Sequence, residues 1–142
     1  MERRKFIQLS LASAGLGLVT PTLAQAKAAQ PVPGPSDIYY TKVSLGRWVG
    51  KEATHLPVVE ITKAAGGTTV KIVTPHEMKA YEHYIVKHVL LDKHYKFIDE
   101  HLFEPTQDKT AESTFTLKGY SGAIYALSLC NKHDLWLASA QV

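Results

Sequence analysis

From residue 38 onward the chain alternates apolar and polar positions in short bursts, each closed by turn-forming residues. The runs are IYYTKVSLG (38–46), LPVVEIT (56–62), TTVKIVT (68–74), HYIVKHVLLD (83–92), YKFIDEHLF (95–103), STFTLKG (113–119), AIYALSLC (123–130) and DLWLASA (134–140). Gly66-Gly67, Asp92-Lys93 and the stretch from Gly119 to Gly122 separate several of them. Side chains that change face at every residue, with β-branched and aromatic residues enriched, mark half-buried strands. Seven or eight such runs without a sustained helical period predict one all-β domain over residues 38–142, an antiparallel sandwich or barrel. The pattern shows no internal repeat and no second domain.

The N-terminal part is patterned differently. Arg3, Arg4 and Lys5 precede an apolar run rich in small residues, and Ala24-Gln25-Ala26 follows it as a cleavage-site triplet. That layout predicts a bacterial secretory signal over residues 1–26. The Arg-Arg-x-Phe-Ile order from Arg3 to Ile7 points to the twin-arginine route, which carries folded proteins. Phe6 to Val19 falls short of the roughly 20 apolar residues that span a bilayer, so no membrane span is expected after cleavage. The mature protein is thus expected in the periplasm. Residues 27–37, KAAQPVPGPSD, are rich in Pro, Ala and Gly and are expected to form a flexible linker.

Composition narrows the choice of partner. Removing residues 1–26 from the 142 leaves 116, enough for one core without disulfide staples. The leader takes Arg3, Arg4, Lys5 and Glu2 with it, leaving thirteen basic and twelve acidic residues and a net charge of +1. Such a balance gives neither nucleic acid nor a membrane surface an electrostatic footing.

Seven histidines stand against one cysteine, Cys130. An unpaired thiol in an exported chain is a candidate for reaction, intermolecular pairing or metal ligation. His55 precedes a predicted strand, His76 lies in a loop, His83 begins a strand, Cys130 ends one and His133 follows in a turn. All five fall at strand ends or in connections, where a sandwich gathers the loops of one edge into a site. His88 inside a strand, His94 in a hairpin turn and His101 near a strand end are read as ordinary structural residues. A thiolate and an imidazole one tight turn apart, Cys130-x-x-His133, can reach one ion. Zinc needs only four ligands, and a blue-copper site adds a weak axial Met, for which Met78 is the one methionine outside the leader. Four imidazoles and one thiolate suit ferrous iron with one position open.

Three segments, HLPVVE (55–60), HEMKAYEHYI (76–85) and YALSLCNKHDLW (125–136), resemble the iron-binding segments of the superoxide reductases, the neelaredoxin and desulfoferrodoxin family. The resemblance runs from about Leu45 to Trp136 and matches the single-centre form. It implies an immunoglobulin-like β-sandwich of seven strands. It also implies one iron, Fe(2+)/Fe(3+), held by His55, His76, His83 and His133 in a plane with Cys130 as axial ligand. Superoxide would be reduced to hydrogen peroxide, with electrons from an external donor such as a rubredoxin-like protein or a periplasmic cytochrome. Family members assemble as dimers or tetramers. The chain departs from the family at two places. Six residues rather than five separate His76 from His83, and counting back at the family spacing reaches Glu77. The family's Glu-Lys-His is replaced by Ala53-Thr54-His55, with Glu52 and Lys51 further out as candidates for the roles of sixth ligand and superoxide-steering lysine. Two other readings of the same residues are an electron-transfer or metal-binding protein without superoxide turnover, and a metal-free binding module.

Overall fold

The computed structural model describes residues 37–142. The expected leader and all but the last residue of the linker lie outside the described residues. Seven strands succeed one another: β1 (Val58–Ala64), β2 (Gly67–Thr74), β3 (Ile85–Leu91), β4 (Phe97–Leu102), β5 (Ala111–Leu117), β6 (Ala123–Cys130) and β7 (Asp134–Gln141). A 3-10 segment, Gly46–Trp48, and one helical turn, α1 (Glu52–His55), precede them. The strands pair antiparallel in two sheets, in the orders β1-β2-β5 and β4-β3-β6-β7. The alternation predicted an antiparallel sandwich or barrel, and the strands form the sandwich, consistent with the immunoglobulin-like fold that the resemblance implies.

One run did not become a strand. In IYYTKVSLG only Tyr40 and Thr41 make bridges, Tyr40 in parallel with Trp136 and Thr41 back onto Ser44. The Thr41–Ser44 turn uses its own backbone groups, and Gly46 at φ +46° ends the extended path. Two other starts shift. His83 is tied back to Lys79 in a reverse turn, so β3 begins at Ile85, and β1 begins at Val58 rather than Leu56, with His55 before it on α1 as the last residue of a helical turn.

Val70, Ile72, Leu90, Phe115, Ile124 and Ala126 meet between the sheets as the main core. Each large apolar side chain so buried contributes about 1.5–3 kcal/mol. Nearer the site a smaller cluster of Ile85, Phe103, Ala111 and Cys130 carries Met78 against it. A buried polar layer lies close to this cluster. His88 Nε2 is 2.9 Å from Thr74 Oγ1 and its Nδ1 2.8 Å from Ser113 Oγ, while Thr74 Oγ1 and Ser128 Oγ are 2.7 Å apart. Every member therefore has a partner, the condition for burying polar groups without a net penalty.

The two outer faces differ in chemistry. Strand register places Val58, Glu60 and Thr62 of β1, Thr69, Lys71 and Val73 of β2, and Glu112, Thr114 and Thr116 of β5 on the outside of the three-stranded sheet. Only the two valines are apolar. On the outside of the four-stranded sheet, β4 presents Phe97, Glu100 and Leu102, and β3 presents Lys87, Val89 and Leu91. β6 adds Tyr125, Leu127 and Leu129, and β7 adds Leu135, Leu137 and Ser139. Of these twelve, only Lys87, Glu100 and Ser139 are polar.

Antiparallel pairing also decides where the connections meet. The start of β1, the end of β2, the start of β3, the end of β6 and the start of β7 share one end of the sandwich. All five candidate ligands lie there.

Candidate metal centre

His55, His76, His83, Cys130 and His133 offer five donor atoms that lie within 4.8 Å of one another. Different backbone devices deliver each. His55 closes α1, and its Nδ1 lies 3.0 Å from the Lys51 carbonyl and 2.9 Å from Thr54 Oγ1. An Nδ1–H donating to that carbonyl leaves the Nε2 lone pair facing the cluster. His76 follows β2 in a tight bend, with its amide donating to the Thr74 carbonyl at 2.7 Å. Cys130 ends β6 and His133 occupies the turn into β7, where Asp134 at φ +61° allows the sharp reversal.

Asn131 latches two of these connections together. Its Nδ2 donates to the carbonyls of Tyr81 and Glu82 at 3.3 and 3.2 Å, and its Oδ1 accepts from the Tyr84 amide at 3.0 Å. The His83 loop is thereby fixed to the Cys130–His133 turn. Asp134 performs a similar service on the other side. Its carboxylate accepts from the Trp48 indole N–H at 2.8 Å and pairs with Arg47, which holds the edge of Trp48 against the His133 ring at 4.7 Å between centroids. Sequence reasoning singled out none of Arg47, Trp48, Asp134 and the Asn131 side chain. The one local signal was that Asn131 and Asp134 adjoin ligands directly. The partners of the Asp134 carboxylate, Trp48, Arg47 and the Tyr40 hydroxyl, lie 86, 87 and 94 residues away.

The donor spacings test whether an ion fits. His55 Nε2 and His133 Nδ1 are 3.0 Å apart, His133 Nδ1 and His83 Nε2 3.0 Å, and His83 Nε2 and His76 Nε2 3.1 Å. At a metal–nitrogen distance of about 2.0–2.1 Å, neighbouring nitrogens are ~2.9 Å apart on a square and ~3.4 Å apart on a tetrahedron. The imidazoles match the square. In that order His76 and His133 are diagonal corners, and Cys130 Sγ lies 3.7 and 3.6 Å from them, nearly equidistant, as an atom on the axis would be. Inward lone pairs this close repel one another unless a proton or a cation lies between them.

The electrostatics agree. Burial lowers the proton affinity of His55 and of His76, each to about 4, and that of His83 and His133 in the same direction. All four imidazoles are therefore neutral near pH 7 and free to ligate. Burial pushes the Cys130 thiol up, opposed by the Lys132 and His133 amides, and the Lys132 amide lies 3.5 Å from Sγ. The positive charges of Lys132, Lys79 and Lys51 further lower His83.

Glu77 is set apart from the donors, exposed and paired with Lys79 at 3.1 Å. Lys51 is exposed and contributes its carbonyl to His55. Glu52 is partly buried in α1, and its Oε2 is shielded from solvent without a hydrogen-bond partner. Neither belongs to the five-donor cluster. Trp136 is fully buried, with its ring 5.7 Å from that of His55.

The family model of the desulfoferrodoxins matches residues 47–139. The chain belongs to the desulfoferrodoxin family. Among solved structures, this desulfoferrodoxin-family chain is similar to the superoxide reductase (neelaredoxin) from Ignicoccus hospitalis, with 28% identity and a TM-score of 0.62 over 75% of this chain and 95% of that one. It is similar to the superoxide reductase from Treponema pallidum at 30% identity and a TM-score of 0.50, over 63% of this chain and 68% of that one. A variant of the Archaeoglobus fulgidus superoxide reductase (neelaredoxin) in the reduced form shares 26% identity and a TM-score of 0.54, over 65% of this chain and 90% of that one. No curated protein matches the chain.

Proposed function

We propose that the chain is a superoxide reductase whose single iron is held by His55, His76, His83, His133 and Cys130, and whose product is hydrogen peroxide. The observation that carries this is a square of neutral imidazoles with a thiol on its axis in a member of the desulfoferrodoxin family. Iron bound by these five side chains would supply the electron and Lewis acidity. Everything else falls to the side chains. The imidazoles add no charge, so a divalent ion neutralised only by the Cys130 thiolate keeps a positive charge that attracts an anion. Lys51, Lys79 and Lys132 reinforce that attraction around His83. One superoxide takes up one electron and two protons from solvent to leave as peroxide. Lys51 and Glu52 are the candidates for steering superoxide and for supplying a carboxylate to the open position.

An external donor, a rubredoxin-like protein or a periplasmic cytochrome, would return the electron. Export of the folded, metal-loaded chain by the twin-arginine route, with cleavage after residue 26, belongs to the same proposal. Stopped-flow mixing of the reduced, iron-loaded protein with superoxide tests the reading. One peroxide formed per iron oxidised, without oxygen release, supports it. Reduced iron that superoxide fails to oxidise would make the protein an electron carrier or metal-binding protein instead. Cys130→Ser is expected to abolish the thiolate-to-iron absorption and the reductase activity while leaving the far-ultraviolet circular dichroism of a folded sandwich.

A further inference from the structure

Of the five candidate donors, His55 and His76 adjoin strands of the three-stranded sheet, whereas His83, Cys130 and His133 adjoin strands of the four-stranded sheet. An ion held by all five therefore bridges the sandwich, and its geometry depends on how far apart the sheets stand at this end. The spacing of Cys130 Sγ from His133 Nδ1, 3.6 Å, is set within one turn. Its spacing from His76 Nε2, 3.7 Å, is set across the sheets, between residues 54 apart in the chain. Keeping the second distance near the first requires the two sheets to be held at one separation.

We infer that the buried residues Thr74, His88, Ser113 and Ser128 are positioning residues that fix this separation, and with it the approach of the axial thiol to the imidazole plane. The inference rests on the five-donor centre proposed above, but not on its turnover of superoxide. Thr74 stands two residues before His76 at the end of β2, and Ser128 two before Cys130 on β6. Their hydroxyl oxygens meet at 2.7 Å across the sandwich. Side chains that short can touch only where the sheets draw closer than the ~10 Å of ordinary face-to-face packing. His88, opposite Ser128 in the β3–β6 register, adds two more cross-sheet bonds, to Thr74 on β2 and to Ser113 on β5, at 2.9 and 2.8 Å. Thr74 passes its position to a donor directly, because its carbonyl accepts the His76 amide at 2.7 Å. Ser128 does so through β6, where it and Cys130 are buried on the same face. Hydrogen bonds hold length and angle, whereas apolar packing is non-directional. Exchanging all members of a buried polar set for apolar groups of the same shape is nearly neutral, so stability alone does not call for these four residues. What they add is a fixed separation.

Cobalt(II) added to the full chain tests this, because its thiolate-to-metal absorption reports the bond to Cys130 whether or not superoxide is turned over. Ser128→Ala cuts the hydroxyl contact between β2 and β6 while leaving His88 both of its partners. Thr74→Val removes the other hydroxyl and keeps the shape of the side chain. Both variants are expected to take up one cobalt(II) per chain, with the absorption band moved from its position in the unmodified protein and the affinity about tenfold weaker. Thr74→Ser restores a hydroxyl and should leave the band where the unmodified protein has it. Ile124→Val, in the main core on the same strand, is expected to lower the urea midpoint without moving the band. A band unmoved in both Ser128→Ala and Thr74→Val, or moved as far by Ile124→Val, overturns the inference and leaves the five-donor centre standing. An unmodified chain without any thiolate-to-cobalt band overturns the centre itself, and the inference with it.

Discussion

His88 shows how much a single core residue can set. Its ring is fully buried, its two nitrogens are taken by Thr74 and Ser113, and burial holds its proton affinity down to about 3. In the unfolded chain it would titrate near 6.5. Neutral His88 therefore stabilises the fold fully above that value, and the contribution fades as the pH falls from about 6.5 toward 3, because the unfolded state binds a proton that the native state refuses. Between pH 7 and pH 5 this residue alone should cost about 2 kcal/mol of stability. Urea midpoints at the two pH values are expected to fall accordingly, with His55 and His76 adding to the fall with the same sign. His88→Leu should lower stability at pH 7 by about 1–3 kcal/mol, since it strands the buried hydroxyl of Ser113 and leaves Thr74 with Ser128 alone. Its urea midpoint should also vary less with pH.

Among the elements, the turn from β6 to β7 bears most of the organising contacts. It supplies two of the five donors, and its flanking Asn131 and Asp134 tie down the His83 loop and the 3-10 segment. Asp134→Ala removes the acceptor of the Trp48 indole and of Arg47 from a partly buried position. The expected loss is about 1–3 kcal/mol, with the tryptophan emission moving to the red as Trp48 leaves the His133 ring. An unchanged spectrum would show that packing alone holds Trp48. The strands themselves were legible because alternation and turn residues are local signals. IYYTKVSLG was misread for the same reason, since local alternation does not reveal that the run finds no ladder beyond the single bridge from Tyr40 to Trp136. The type and number of candidate donors could be read from composition and spacing. Their square arrangement could not, because it depends on contacts spanning 50 and 78 residues, between His83 and His133 and between His55 and His133.

At the scale of the molecule, the sandwich separates three kinds of surface: a polar sheet, an apolar sheet and one end that gathers the donors. The apolar sheet was present in the sequence as unusually apolar runs at 83–92 and 123–130, but only the strand register reveals that half of those residues face outward. The end carrying the donors joins parts of very different durability. Cys130 ends β6, whose amides are bonded between β3 and β7, whereas His55 rides on α1, a lone turn closed by the Leu56 amide on the Glu52 carbonyl at 3.0 Å. In a native-state hydrogen-exchange experiment the amides of 124–129 should be among the last to exchange and those of Thr54 and Leu56 among the first. Binding an ion would couple the two, so chelation should accelerate exchange at Thr54 and Leu56 while β6 hardly changes. Simultaneous acceleration in both would mean that the sandwich opens as one unit. The asymmetry gives the site a hinged side and a fixed side, and an ion would enter or leave by unlatching His55 while the thiol stays in place.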